Sequence, residues 1–279
     1  MITEYKWPTS IKANDVWRNT VKQLLAYPSV VSPRGQPIKE MLGNQTVVDM
    51  HYPVLTNNGR KLGYRFMAAE AEWILLGDNR VDTIAPYSKA ISSFSDDGKT
   101  FFGSYGVKIS AQLPFVLQKL CEDHDTRQAV INIWRESPPH SKDIPCTLSL
   151  QFIYRAHQLN CVASMRSSDI WLGWPYDVFN FTMITAYVLL SLRKMDDYFQ
   201  YGDIGRLFLT AGSQHLYLSN EALAFDAMVS NDAPEERLDL NLFGSELELL
   251  EFLFYAKDRR LEEWRTKRKS QNKFLSRLL

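Results

Sequence analysis

The sequence has few of the features that would fix a class at once. It holds only three cysteines, Cys121, Cys146 and Cys161, an odd number with no C-x-x-C pair. That pattern argues against a disulfide framework or zinc knuckle and fits a reducing cytoplasm. The five histidines show neither H-E-x-x-H nor H-x-x-x-H spacing, so no metal is expected. Net charge is absent: 32 basic residues balance 32 acidic ones. No global field therefore drives the chain onto nucleic acid or an anionic membrane, and direct nucleic-acid binding is not expected. The start, "MITEYKWPTS", lacks the apolar core of a signal peptide. The longest apolar stretch, Val178 to Leu192, falls short of the ~20 residues a bilayer needs. It also carries Asn180, Thr182 and Thr185, and reads as a buried core helix. Repeats and low-complexity linkers are missing too, so residues 1–279 read as one domain, with 244–279 a helical C-terminal extension.

What is present is apolar and aromatic. Hydrophobic residues make up 45% of the chain and aromatics 13%, enough for a substantial core and large pockets. Val16, Trp17, Val21, Leu24 and Leu25 share one helical face behind a candidate cap, Asn14. "VVSPRGQPIKEMLG" reads as a loop and "TVVDMHYPV" as a strand. Phe66 to Leu76 has a helical pattern, "SDDGK" a turn, and "GSYG" a break. Ala111 to Glu122 is expected to be a helix with Pro114 near its start. "QAVINIWR", "CTLSLQFIYR" and "LNCVASMRS" read as strands, the second with clear two-residue alternation. A long helix from Val178 to Lys194 follows, then "IGRLFLTAGSQHLYLS" as a strand and short helix. From Ser245 to Leu279 the chain is helical in pattern and ends basic, which reads as a solvated face. The sum is an α+β domain on a mixed sheet.

Taken alone, Cys146 is best read as core filler, since free cysteine is among the most buried residues. Its neighbours change that reading. Arg166 lies about one hairpin further on, where a guanidinium on the next strand would lower the thiol pKa.

"PC-x5-QF", "RSSD-x2-LG-x-PYD" and "GSQHLY", in that order, resemble the thymidylate synthase superfamily. The resemblance implies an α/β fold with a mixed sheet packed by helices, and a sheet-to-sheet homodimer. It implies a pyrimidine nucleoside monophosphate substrate and 5,10-methylenetetrahydrofolate as carbon donor. Cys146 would add to C6 of the pyrimidine, making C5 nucleophilic. Arg34, Arg166 and Ser167 would grip the 5′-phosphate, with Arg127 reaching across from the partner subunit. His215 and Tyr217 would hold the sugar 3′-hydroxyl. Glu70 would organise a proton relay through water, and Tyr105 would stand near the C5 proton. Asp169, Leu172, Gly173 and Tyr176 would line the folate site.

Several positions depart from the synthase pattern. Asp177 stands where the synthases carry the asparagine that reads uracil. A protonated carboxyl donates to cytosine N3 and accepts from its amine, and an ionised one matches an N3-protonated ring. Thr147 replaces a histidine and Met165 a glutamine. These features resemble the phage-type deoxycytidylate hydroxymethylases, in which water rather than hydride quenches the exocyclic methylene. Ile91 or a near neighbour, and Phe94, stand where the synthases place tryptophans. Arg127-Gln128 replaces an arginine pair, which leaves the choice between dCMP and CMP resting on Ser167. The expected activity is dCMP 5-hydroxymethylation. Its alternatives are a CMP hydroxymethylase of nucleoside biosynthesis, a dCMP or dUMP C5-methyltransferase, and a non-catalytic nucleic-acid-binding scaffold. Asp177 as a plain helix N-cap is the alternative for the deciding residue.

Overall fold

The computed structural model describes residues 11–268. Six strands form one mixed sheet in the order β1-β2-β6-β5-β4-β3, where β1 is Val30–Val31, β2 Ile38–Asp49, β3 Val130–Asn132, β4 Thr147–Arg155, β5 Gln158–Asp169 and β6 Asp203–Tyr217. All neighbouring pairs are antiparallel except β5–β6. That parallel pair needs a crossover, which α5, Trp174–Met195, supplies.

The apolar run expected to be a core helix is the centre of the molecule. Val178, Phe179, Phe181, Met183, Ile184, Val188, Leu189 and Leu192 of α5 are all buried. It packs on the sheet face made by Leu159, Cys161, Ala163, Leu207 and Leu209, whose two-residue alternation puts them on one side. Around α5 lie α1 (Ala13–Ala26), α2 (Tyr64–Leu75), α4 (Tyr105–Glu122) and α7 (Glu246–Lys257). The short α3 (Val81–Ile84), α6 (Glu221–Met228) and α8 (Leu261–Arg268) complete the set. No helix of the described residues is long and apolar enough to cross a membrane.

The structure corrects several local expectations. Asn14 does not cap α1; it lies inside the helix and exchanges two hydrogen bonds with Thr56, at 2.7 and 2.8 Å. The segment expected to be a loop contributes β1 and the start of β2, because Gly43 (φ 63°) lets one long strand pass through a left-handed residue. In "QAVINIWR" only Val130–Asn132 pairs. Helix α4 starts at Tyr105, earlier than Ala111, so "GSYG" opens a helix instead of breaking one, and Pro114 falls mid-helix. Gly106 permits that early start: a Cβ there would lie 2.8 Å from the Ile74 carbonyl, so only glycine lets α4 approach the end of α2. Helix α5 begins at Trp174, not Val178, with Gly173 as its cap. The C-terminal segment is not one helix, since Arg259 at φ 58° separates α7 from α8. Within it Arg260 pairs with Glu263, Arg265 with Glu262 and Lys267 with Glu251. The rest of the expected helix, 269–279, lies outside the described residues.

Candidate active site

A cleft of about 160 Å3 opens where α2, α4, α5 and the approach to β4 converge. Glu70, Tyr105, Asp143, Asp177 and Asn180 supply its polar lining, and Trp73, Ile91, Phe94 and Phe101 its apolar wall. Helical spacing accounts for part of this, since Asp177 and Asn180 are three apart on α5 and share a face.

Cys146 stands just before β4, and the antiparallel β4–β5 pairing sets Arg166 beside it. The Cys146 carbonyl accepts from the Arg166 amide at 2.8 Å. The guanidinium donates from Nε to the Pro145 carbonyl at 2.9 Å and from Nη2 to the Ile144 carbonyl at 3.0 Å. The same Nη2 lies 3.6 Å from the Cys146 sulfur. This arginine is therefore clamped by backbone. The expected acidification of the thiol is corrected, however. Arg166 does lower the Cys146 pKa, and Arg34 after it, but burial is the largest influence, the Asp177 and Asp143 charges act with it, and the net direction is up.

Burial pushes Glu70 up to about 7, against the Asn180 amide, which donates to its Oε2 at 2.8 Å. Asp177 is held well above the ordinary carboxylate range by burial, then by the charges of Glu70 and Asp169. Its carboxyl has no hydrogen-bond partner among the described residues and caps nothing. The Tyr105 hydroxyl accepts from the Thr147 amide at 3.3 Å and its side-chain hydroxyl at 3.0 Å. Burial, with the Asp177 and Cys146 charges behind it, holds that phenol well above its usual pKa.

The model of the family described as thymidylate synthase matches residues 17–274. The chain belongs to the thymidylate synthase family. Two phage proteins similar to it are both named deoxyuridylate hydroxymethyltransferase. That of Bacillus phage SP01 is 27% identical over 232 residues, covering 75% of this chain and 58% of the phage protein. That of Pseudomonas phage M6 is 32% identical over 137 residues, covering 46% of this chain and 39% of the relative. The chain thus spans less than two thirds of the length of either.

In this family member the remaining expected residues lie on β5, the start of α5, β6 and two loops. Asp169, Leu172, Gly173 and Tyr176 run from the end of β5 into α5. Asp169 Oδ1 accepts from the amides of Trp171 at 2.8 Å and Leu172 at 3.0 Å, while its buried Oδ2 has no partner among the described residues. The Tyr176 hydroxyl accepts from the Gly63 amide at 3.0 Å, and the Leu172 side chain is exposed. His215 pairs in register with Asp169 across β5–β6; it is buried with Nδ1 unpartnered, edge-on to Tyr217 at 5.2 Å. Ser167 sits opposite Ser213, one residue past Arg166. Arg34 is exposed at φ 54° in the turn Pro33–Gly35, near enough to act on the Cys146 charge. Arg127 is not brought into the cleft by this chain. It is exposed in the loop before β3, its carbonyl accepting from Gln151 at 2.8 Å.

Sequence reasoning missed three residues here. Asn180 was visible as a polar break in an apolar helix one turn from Asp177, but was given no partner. Arg60 had no sequence signal. It is buried, donates twice to the Trp171 carbonyl, at 3.0 and 2.8 Å, and stacks on the Trp171 ring, which fixes the turn carrying Asp169 and Leu172. Asp143 is the third. Both Ile91 and Phe94 do line the cleft. Among the described residues no group of three or more potential ligands is placed to hold a metal ion.

Proposed function

We propose that the chain is a folate-dependent pyrimidine-nucleotide 5-hydroxymethylase with dCMP as substrate, acting as a homodimer. The observation that carries this reading is the Asp177 carboxyl, which lines the cleft without a hydrogen-bond partner among the described residues and is held well above the ordinary carboxylate range by burial, near the half-buried Cys146 thiol.

Cys146 adds through sulfur to C6 of the base. As it does, negative charge builds toward N3, and Asp177 delivers its proton there. The resulting carboxylate faces two donors, N3–H and the exocyclic amine, a bidentate charge-assisted match that uracil cannot offer. Arg166 has its Nη1 uncommitted among the described residues, and with Arg34, Ser167 and the partner subunit's Arg127 grips the 5′-phosphate. His215 and Tyr217 hold the sugar. Glu70, poised near neutrality and oriented by Asn180, moves a proton through water at the base. Tyr105, pinned by Thr147, stands at the C5 proton.

The second substrate, 5,10-methylenetetrahydrofolate, supplies the one-carbon unit. The residues fit such a ligand: Asp169 Oδ2 is a buried acceptor wanting a donor, which a pterin ring N–H provides, and Ile91, Phe94 and Leu172 offer apolar surface. The names of the two phage relatives favour a second reading, hydroxymethylation of dUMP. Incubation with dCMP, CMP or dUMP and labelled folate donor, followed by mass spectrometry, tests both. The expected products are 5-hydroxymethyl-dCMP and tetrahydrofolate. A 5-methyl nucleotide with dihydrofolate overturns the hydroxymethylase reading, and preferred turnover of dUMP or CMP overturns the choice of base or sugar.

A further inference from the structure

The cleft contains a third carboxyl that no step above uses. Asp143 sits three residues before Cys146 and lines the same cavity as Glu70, Tyr105 and Asp177. Its Oδ2 accepts from the Gly103 amide at 2.7 Å, and its own amide is held by the Ser141 hydroxyl at 3.0 Å. Its Oδ1 has no hydrogen-bond partner among the described residues. The close approach is built in, because a Cβ on Gly103 would lie 2.6 Å from the Asp143 carbonyl and 2.9 Å from Oδ1. One oxygen is thus anchored and the other left over, beside the apolar wall of Phe101 and Ile91.

Besides Asp177, two other oxygens of the cleft also lack a partner among the described residues: Asn180 Oδ1, which as an amide oxygen is a poor proton acceptor, and Glu70 Oε1, whose carboxyl already serves the relay at the base. Glu70 is tied to Asn180, Tyr105 to Thr147, and the Ser104 hydroxyl donates to the Asp78 carbonyl at 2.7 Å. Asp177, ionised once it has protonated N3, is occupied by N3–H and the exocyclic amine. Asp143 is therefore the one carboxyl lining this cleft that has an open oxygen and no step assigned to it above.

We propose that Asp143 is the general base that takes a proton from the water ending the reaction. This rests on the hydroxymethylase reading. In that step the water oxygen bonds to the exocyclic methylene carbon. The methylene π pair moves to form the C5–C6 double bond, the C6–sulfur bond breaks, and the pair leaves with the Cys146 thiolate. The water proton goes to Asp143, so no oxidant or reductant is needed. The anchoring amide suits this role, since the Gly103 N–H favours the ionised carboxyl while burial keeps it basic, with the Asp96 charge adding to that effect.

Asp143→Asn tests the proposal, because the amide oxygen still accepts from Gly103 but the side chain cannot take a proton. With enzyme in excess over 5-tritiated dCMP and 5,10-methylenetetrahydrofolate, tritium release reports every step before the quench. The variant is expected to release tritium at the wild-type rate and to form 5-hydroxymethyl-dCMP about 100-fold or more slowly. Added 2-mercaptoethanol, whose sulfur needs no base at this site, is expected to capture the stranded methylene as a 5-thioether detected by mass. Hydroxymethyl product at the wild-type rate overturns the proposal. A parallel loss of tritium release also does so, by placing Asp143 before the quench. Wild-type enzyme that hydroxymethylates neither dCMP nor dUMP overturns the function itself, and this role with it.

Discussion

Replacing Asp177 with asparagine removes one proton from the site and almost nothing else. The side chains are nearly isosteric, and the Asp177 carboxyl makes no hydrogen bond to a described residue that the amide would break. In this reading its titratable neighbours serve other atoms of the base. Glu70 is committed to Asn180, and Tyr105 is held well above its usual pKa by burial and the surrounding negative charge. The whole general-acid contribution at N3 should therefore vanish, so kcat/KM for dCMP is expected to fall about 10²- to 10⁴-fold. That corresponds to about 3–5 kcal/mol of transition-state stabilisation. For dUMP the amide accepts from N3–H and donates to O4, so kcat/KM should hold or rise. The specificity ratio is the quantity to measure. The pH dependence sharpens the test. Asp177 must start protonated, and its pKa is raised, so wild-type kcat/KM for dCMP should decline as pH rises through that raised value. Asp177→Asn should lose this limb. An unchanged dCMP-to-dUMP ratio, or an unchanged alkaline limb, would refute the role of Asp177 in reading the base.

Other perturbations give separate checks. Cys146→Ser should abolish turnover while nucleotide binding, read by calorimetry, persists; activity in that variant would remove the nucleophile. Glu70 is raised on folding, so the folded state binds the extra proton and loses stability as pH climbs from the free-glutamate value toward about 7. Glu70→Gln should therefore be more stable above pH 7, by on the order of 1–3 kcal/mol in urea unfolding, yet nearly inactive. Equal stability at pH 5 and pH 8 relative to wild type would contradict this. Mixing inactive Arg127→Ala and Cys146→Ser chains should restore about a quarter of wild-type activity, because half the dimers are mixed and each rebuilds one site. No recovery would place Arg127 outside the shared site. Lys257, on α7, pairs with the buried Glu72 of α2, so Lys257→Ala should cost about 3 kcal/mol by stranding that charge. A loss below about 0.5 kcal/mol, within the range of ordinary surface substitutions, would show that this ion pair does little to hold α7.

Local patterning determined a great deal of this protein. Two-residue alternation marked β4, and an unbroken apolar run marked α5, because burial on one face or all round imposes those periods. The nearness of Arg166 to Cys146 was legible because a hairpin is short-range geometry, whereas Asp177 stood out only through the family resemblance. The bounds of α4 and β2 were less legible, since Gly106 and Gly43 take their meaning from what approaches them. Only the tertiary structure decided the rest. The direction of the Cys146 shift depends on how the packed chain surrounds the thiol, where burial together with the Asp177 and Asp143 charges outweighs two arginines. Arg60 and Asp143 become part of the site through contacts reaching 111 and 40 residues along the chain. No local pattern encodes such contacts, because the partner is chosen by the fold.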